Sequence, residues 1–129
     1  MIAVDTNVVV RLLSRDDEDQ FQRVYQLFSE HQVFIATTVI LECEWVLRYA
    51  YRMKPDTVIA AMRRLFGLDN VVLEELNRVA LAVDWHEQGM DFADALHFAA
   101  TPEGSDFVTF DRKLVATATR MALGHIREP

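Results

Sequence analysis

Residues 1–13, MIAVDTNVVVRLL, carry an apolar stretch, an aspartate and a helix-like segment in immediate succession. Met1 to Val4 predicts a short strand and Asn7 to Leu13 predicts a helix, with Asp5 at the turn between them. The order of strand and then helix recurs along the chain. This alternation favours an α/β fold in which helices cover a central, mainly parallel sheet.

The remaining elements follow from hydrophobic periodicity and from helix caps. Further strands are predicted at residues 33–36, 70–73, 107–110 and 125–127. Further helices are predicted from the turn at 14–17 to residue 30, and over residues 37–52, 55–67, 74–88, 91–100 and 112–123. No repeat or linker interrupts this pattern, so we expect residues 1–129 to form a single domain.

The composition is 51% hydrophobic and 26% charged, which is typical of a globular protein. No stretch approaches the roughly 20 apolar residues of a membrane span, and the carboxylate of Asp5 comes too early for a signal peptide. The single cysteine, Cys43, excludes an internal disulfide and fits a reducing compartment. We therefore expect a cytoplasmic protein with no membrane partner.

The net charge is −7, from 13 basic and 20 acidic residues. A protein that held nucleic acid by its overall surface charge would normally be basic. Either nucleic acid is not the partner, or a local feature reverses the sign of the charge. Bound cations could do so, which makes the positions of the carboxylates important.

Two carboxylates, Asp5 and Asp111, follow predicted strands. In parallel sheets, ligands bind beyond the carboxyl ends of the strands, so both are candidates for a functional site. Each also precedes a helix, and a helix N-cap is an equally simple interpretation of an aspartate at that place. Both interpretations stay open from the sequence.

Glu42 lies in the helix predicted over residues 37–52. Glu44, Arg48 and Arg52 recur there at intervals of four and predict a solvated stripe. Two residues correspond to a rotation of about 200°, so Glu42 is expected to face the opposite, buried side. A buried carboxylate needs compensation, which indicates either a metal ligand or an ion pair with an arginine such as Arg11.

Asp94 lies in an alanine-rich, apolar helix, FADALHFAA, which predicts tight packing and buried neighbours for its carboxylate. The alternative is a capping box with Asp91 at the cap. His97 is interpreted as a structural histidine and Asp91 as a cap, so neither is included among the candidate ligands.

If these four carboxylates share one cleft, they repel one another by about 4 kcal/mol per pair at ~4 Å and an effective dielectric near 20. A divalent cation would remove that repulsion. All-oxygen ligands favour Mg²⁺ or Mn²⁺ over zinc, for which the chain offers no Cys/His cluster.

Four short motifs resemble the acidic motifs of PIN domains, with greatest similarity to the VapC-type toxins of prokaryotic toxin–antitoxin pairs. The motifs are Asp5-Thr6-Asn7-Val8, Thr38-x-x-x-Glu42, Phe92-Ala93-Asp94-Ala95-Leu96-His97 and Val108-Thr109-Phe110-Asp111. They occur in the order and at the spacing of that family, from the first residue to near the last.

The resemblance implies a three-layer α/β/α PIN-like fold and RNA cleavage that depends on one or two Mg²⁺ or Mn²⁺ ions. It assigns the catalytic, metal-binding roles to Asp5, Glu42, Asp94 and Asp111. It suggests that Asn7 and Thr109 orient these ligands by hydrogen bonds. It also implies a homodimer and a cognate antitoxin protein that silences the nuclease.

Two neighbouring helices are unusually apolar, which agrees with an exposed dimer interface. The alternative is a well-packed helical hairpin. The apolar residues in question are Trp45, Leu47, Tyr49, Tyr51, Val58, Ile59, Met62 and Phe66.

Three other functions fit an acidic α/β chain of this length. A receiver-type signalling domain would need an acidic pair after the first strand, where Asp5 stands alone. A haloacid-dehalogenase-like phosphatase would need an aspartate at the position of Asn7. A catalytically silent PIN-like binding module is the third, and an assay is required to separate it from a nuclease.

Overall fold

Seven α-helices and five short strands, all paired in parallel, make up the computed structural model, which describes all 129 residues. The mixed α/β class is confirmed, and the architecture is consistent with a PIN-like α/β/α fold. The chain divides into two compact units, Met1–Leu76 and Asn77–Pro129. None of the helices combines the length and hydrophobicity that crossing a membrane requires.

The strands are β1 (Ile2–Ala3), β2 (Val33–Ile35), β3 (Val71–Leu73), β4 (Phe107–Val108) and β5 (Ile126–Arg127). The helices are α1 (Thr6–Ser14), α2 (Glu18–Glu30), α3 (Thr37–Trp45), α4 (Pro55–Phe66), α5 (Leu76–Glu87), α6 (Phe92–Ala99) and α7 (Arg112–Arg120). Each predicted element is present, although most are shorter by a few residues than the sequence suggested.

The first unit contains a three-stranded parallel sheet in the order β1-β2-β3. Val33 of the central strand is in register with Ile2 on one side and Val71 on the other. Val33 and Ile35 are fully buried, as expected for a parallel strand between two neighbours with helices on its faces. The carboxyl end of β1 leads directly to Asp5.

The helix predicted over residues 37–52 is only partly correct. The α-helix ends at Trp45 and continues as a π-helical segment, Val46–Ala50, in which the Tyr51 N–H donates to the Val46 carbonyl at 3.2 Å. Arg52 follows in the left-handed conformation, with φ of 54°. The chain therefore leaves the helix before the predicted end.

The N-terminus of this helix has no side-chain cap of its own. Ala36 occupies the cap position and has no side-chain acceptor. Instead, Glu74 at the end of β3 accepts a hydrogen bond from the Thr37 N–H at 2.9 Å, so a distant carboxylate satisfies the helix terminus.

The predicted orientation of Glu42 and Glu44 is reversed in the structure. Glu44 is 1% exposed, whereas Glu42 lies on the exposed side of α3. The buried face contains Ile40, Cys43, Glu44 and Leu47, at the spacing of a single helical stripe. Burial of Glu44 is possible because Arg48 Nε donates to its Oε1 at 2.7 Å.

The second unit pairs β4 with β5, with Phe107 in register with Ile126. Its buried side chains come mainly from the three helices and include several alanines, so α6 packs closely, as its sequence predicted. They are Val79, Ala82, Val83, Met90, Phe92, Ala95, Leu96, Phe98, Leu114 and Ala118. This packing fixes the backbone on which Asp94 and Asp111 lie.

The apolar residues predicted to form an exposed interface are mostly in the core. Leu47, Val58, Ile59 and Met62 are each at most 3% exposed. The hairpin alternative therefore explains most of this apolar character, and the large exposed aromatics of the group are Trp45 and Tyr49.

Candidate metal centre

Asp5 lies between β1 and α1 and caps the helix. Its Oδ1 accepts a hydrogen bond from the Thr6 N–H at 2.7 Å, and the side chain is otherwise exposed. The capping interpretation is therefore correct, but it occupies one oxygen only. The cap holds the carboxylate in place and leaves its second oxygen for a ligand.

Asp5 and Glu42 line the same hollow in the first unit, an open space of about 280 Å³. Its wall is completed by Thr6, Asn7, Val10, Arg11, Val46 and Tyr51. The structure thus brings together two of the predicted ligands and one predicted supporting residue, Asn7. Glu42 reaches this hollow from the exposed side of α3, contrary to the buried position predicted for it.

The buried thiol of Cys43 contacts Thr6, one of the residues that line this hollow. Burial raises its pKa to about 12, and the negative charges of Glu42 and Asp5 act in the same direction. Its Sγ donates a weak hydrogen bond to the Thr6 carbonyl at 3.8 Å. The thiol is therefore protonated and structural, and not a nucleophile.

Arg11 is not committed to Glu42, as the ion-pair alternative would require. Its guanidinium donates to Gln20 and, at 2.7 Å, to the hydroxyl of Tyr51, which in turn donates to Asp16 at 2.7 Å. Arg11 also lies 3.4 Å from Asp16. This network holds the positive charge of Arg11 at the edge of the hollow. The sequence did not indicate that Tyr51 would take part in it.

Asp94 is half-buried on α6 of the second unit. Burial raises the pKa of its carboxyl group, as do the negative charges of Asp91 and Asp111, while His97 acts in the opposite direction. Asp91 caps the helix by accepting from the Asp94 N–H at 3.3 Å, which confirms its interpretation as a cap. Asp94 and Asp111 are thus close enough to repel each other.

Asp111 caps α7. Its Oδ1 accepts from the Leu114 N–H at 3.1 Å, and its own N–H donates to Thr109 Oγ1 at 3.0 Å. Thr109 therefore fixes the turn that presents the Asp111 carboxylate. As with Asp5, capping uses one carboxylate oxygen and leaves the other.

Neither unit gathers three or more Asp, Glu, His or Cys side chains into a group that could hold a metal ion on its own. Each unit does supply a pair of carboxylates, Asp5 with Glu42 and Asp94 with Asp111. Mg²⁺ keeps several waters and needs only one or two carboxylates, so the chemistry of each pair fits a hydrated Mg²⁺ or Mn²⁺ ion. The meeting of all four carboxylates at one centre stays a prediction.

The family model described as PIN domain matches residues 2–119, a range that includes all four carboxylates. A search of curated proteins finds no match. PIN domains are generally nucleases, hydrolases that act on nucleic acid and use divalent metal ions.

Proposed function

Because the chain belongs to the PIN domain family, we propose that it is a metal-dependent endoribonuclease that hydrolyses phosphodiester bonds of RNA. The observation that carries this proposal is that the family match includes Asp5, Glu42, Asp94 and Asp111, which lie in the structure as two acidic pairs. A receiver domain or a dehalogenase-like phosphatase belongs to another family, so neither has further support.

Asp5 and Asp94 are proposed as direct ligands of Mg²⁺ or Mn²⁺. Within each acidic pair, Glu42 and Asp111 are proposed to bind through water or to bind a second ion, since Mg²⁺ keeps several of its waters. A bound divalent ion supplies Lewis acidity, which activates water for attack on phosphorus and offsets charge on the leaving oxygen.

The protein's own contribution is to hold these carboxylates in position before the metal binds. The caps at Thr6 N and Leu114 N fix one oxygen of Asp5 and of Asp111. Thr109 is proposed to act through Asp111, whose backbone it holds. Asn7, exposed at the hollow with Asp5, is proposed to orient a ligand there by a hydrogen bond.

The resemblance to VapC-type toxins supports a narrower proposal. The chain would be the toxin of a type II toxin–antitoxin pair, active in the cytoplasm as a homodimer and silenced by a cognate antitoxin. The adjacent upstream open reading frame tests this role, because a toxin requires a small DNA-binding antitoxin next to it. A sensor kinase at that place would contradict the toxin role.

The nuclease activity is tested by incubating purified protein with RNA in Mn²⁺ and in EDTA. We expect cleavage in Mn²⁺ and none in EDTA. Asp5→Asn is the matched variant because asparagine caps helices as well as aspartate does, so the fold is kept while a charged metal ligand is lost. Asp5→Asn and Asp94→Asn should both abolish cleavage. Full activity in either folded variant would remove that residue from the mechanism.

The same assay separates the nuclease from a silent PIN-like binding module. A silent module would bind RNA without producing fragments at any concentration of Mg²⁺ or Mn²⁺. Cleavage that survives EDTA would instead indicate a contaminating nuclease, and its presence in Asp5→Asn preparations would identify it as such.

A further inference from the structure

The segment 45–54, WVLRYAYRMK, is basic, whereas the chain as a whole is acidic. It contains three basic residues, Arg48, Arg52 and Lys54, and no acidic residue, whereas the whole chain has a net charge of −7. It also contains three aromatic residues. Proteins that bind single-stranded nucleic acid combine basic side chains with aromatic ones, on which the bases stack.

Two of these aromatics form an exposed pair. The ring centroids of Trp45 and Tyr49 lie 5.4 Å apart with an interplanar angle of 43°, and each residue is 56% exposed. They lie at the end of α3 and in the π-helical segment that follows it. We call this pair the aromatic platform.

Tyr49 of the aromatic platform is held in place by Arg48, which itself forms an ion pair with the buried Glu44. Arg48 places its guanidinium 4.4 Å from the centroid of the Tyr49 ring and donates to the Tyr49 hydroxyl at 3.1 Å. Glu44, 1% exposed, accepts from Arg48 Nε at 2.7 Å. Tyr49 is therefore ordered before any ligand arrives, which lowers the entropic cost of binding.

The segment is continuous with the hollow that contains Asp5 and Glu42. Val46 and Tyr51, which belong to the same segment, line that hollow. The exposed residues Arg52 and Lys54 follow directly, where the chain turns at Arg52. π-helical turns are frequent at functional sites, which agrees with this placement.

We propose that Trp45 and Tyr49 form a stacking platform for an unpaired base of the RNA substrate, and that Arg52 and Lys54 contact its phosphates. The proposal rests on the proposed nuclease function and adds to it the residues that bind the substrate beside the hollow. Unpaired bases stack on aromatic side chains, whereas bases within a duplex are not accessible to them.

Charge complementarity favours RNA over a second copy of the chain as the occupant. In a symmetric contact through this segment, the same patch of two copies would meet, so the cations of one copy would face those of the other. A phosphate backbone carries the opposite charge and neutralises the segment.

The test measures binding of a labelled single-stranded oligoribonucleotide and of an RNA hairpin in EDTA, which prevents metal-dependent cleavage. Trp45→Ala should bind the single strand about five- to 150-fold more weakly, because stacking of one base contributes an effect of this size. The duplex stem should be little affected. Trp45→Phe should restore most of the affinity, since it keeps a flat aromatic ring.

The dependence of binding on salt separates stacking from phosphate contacts. Arg52→Gln and Lys54→Gln should each reduce the slope of log K against log salt by about 0.7, the value for one phosphate contact to a single strand. Trp45→Ala should leave that slope unchanged. A reduced slope in Trp45→Ala, or unchanged slopes in both cation variants, would overturn the assignment.

Fluorescence gives a direct measurement at the platform. The chain has two tryptophans, and Trp85 packs against Phe98 in the second unit. In a Trp85→Phe variant, Trp45 is the remaining tryptophan, and the oligoribonucleotide should quench its emission. Emission that stays constant while the oligonucleotide binds would exclude stacking on Trp45.

Failure of this proposal is distinguishable from failure of the nuclease proposal. If Trp45→Ala cleaves RNA in Mn²⁺ with wild-type KM and binds the single strand as wild type does, the platform is wrong and the nuclease stands. If wild type binds RNA through Trp45 without cleaving it in Mn²⁺, the nuclease is wrong and the platform stands. If Trp45→Ala abolishes self-association in sedimentation while RNA binding is unchanged, the aromatics form an interface between copies, which overturns the proposal.

Discussion

The two acidic pairs of this molecule lie in different electrostatic surroundings. In the first unit, Asp5 and Glu42 are exposed and share their hollow with the guanidinium of Arg11. In the second unit, Asp94 is half-buried, and the charges of Asp91 and Asp111 add to the effect of burial in raising its pKa. The first pair shares its exposed hollow with Arg11, whereas in the second pair the charge of Asp111 acts on a half-buried Asp94.

This difference indicates that the second pair has more to gain from a bound cation. A dication at Asp94 and Asp111 would relieve the repulsion between these carboxylates, while solvent already screens the charges of the exposed Asp5 and Glu42. We therefore propose that Asp94 and Asp111 bind a divalent cation more tightly than Asp5 and Glu42 do. The difference comes from burial and neighbouring charges, since all four ligands are carboxylates.

The largest expected effect is stabilisation by metal. Mn²⁺ at a hundred times its dissociation constant should raise the free energy of unfolding of the wild type by about 2.7 kcal/mol. Asp94→Asn should lose more of this gain than Asp5→Asn, because both are proposed direct ligands and only Asp94 is half-buried beside the charges of Asp91 and Asp111. Thermal unfolding with and without Mn²⁺ measures both.

Thermal unfolding of each variant in Ca²⁺-free buffer with EDTA gives its unfolding temperature without metal, against which the effect of Mn²⁺ is measured. A wild type whose unfolding temperature does not respond to Mn²⁺, with no heat of binding by calorimetry, would argue against the site. Equal losses in the two variants would remove the distinction between the pairs.

Much of the fold could be predicted from the sequence because its determinants are local. The strand at Val33–Ile35, the helix that begins at Pro55 and the turns at Asp5 and Asp111 each depend on hydrophobic spacing or on a cap within a few residues. The two strand-end carboxylates of the candidate site follow from the same local signals.

The orientation of Glu42 and Glu44 could not be predicted because it depends on tertiary packing. A polar stripe at intervals of four is normally solvated, yet here Glu44 is in the core and is neutralised by Arg48. The π-helical segment adds a further difficulty, because its wider turn changes the direction of every later side chain relative to the 3.6-residue period. For that reason, the place of Tyr51 at the hollow had no signal in the sequence.

A smaller effect is expected for the helix caps, because each acidic pair contains one capping aspartate, Asp5 or Asp111. Asp5→Ala and Asp111→Ala should each lower the free energy of unfolding by about 1 kcal/mol, because an N–H at the start of α1 or α7 loses its acceptor. Asp5→Asn and Asp111→Asn keep the acceptor and should be nearly neutral. Denaturant unfolding of the four variants in EDTA measures this difference without a contribution from metal.

The comparison between alanine and asparagine separates two roles of one side chain. If the proposed metal role is correct, asparagine retains stability and loses cleavage, whereas alanine loses both. Asparagine variants as destabilised as the alanine variants would show that these carboxylates stabilise the fold by their charge and not by capping.

The smallest expected effect contrasts Asp94 with an acidic residue of the solvated surface. Glu18 accepts hydrogen bonds from Arg15 Nη2 at 2.9 Å and from Gln22 at 2.9 Å, and these contacts, with the charge of Arg15, lower its pKa to about 2. Its contribution to stability is therefore present above its ordinary pKa of 4.5 and is lost as pH falls through about 2. Asp94, with a raised pKa, has the opposite sign: the folded state becomes less stable as pH rises and Asp94 ionises.

Titration of the carboxyl carbons by NMR in EDTA should give Glu18 a pKa well below that of Asp94. The difference in the free energy of unfolding between wild type and Glu18→Gln should be small, because the ion pair of Arg15 and Glu18 is exposed, and it should disappear at the acid end. If Asp94 titrates below its ordinary value of 3.8, burial and the charges of Asp91 and Asp111 do not dominate its surroundings, and the second pair loses its claim to the stronger cation site.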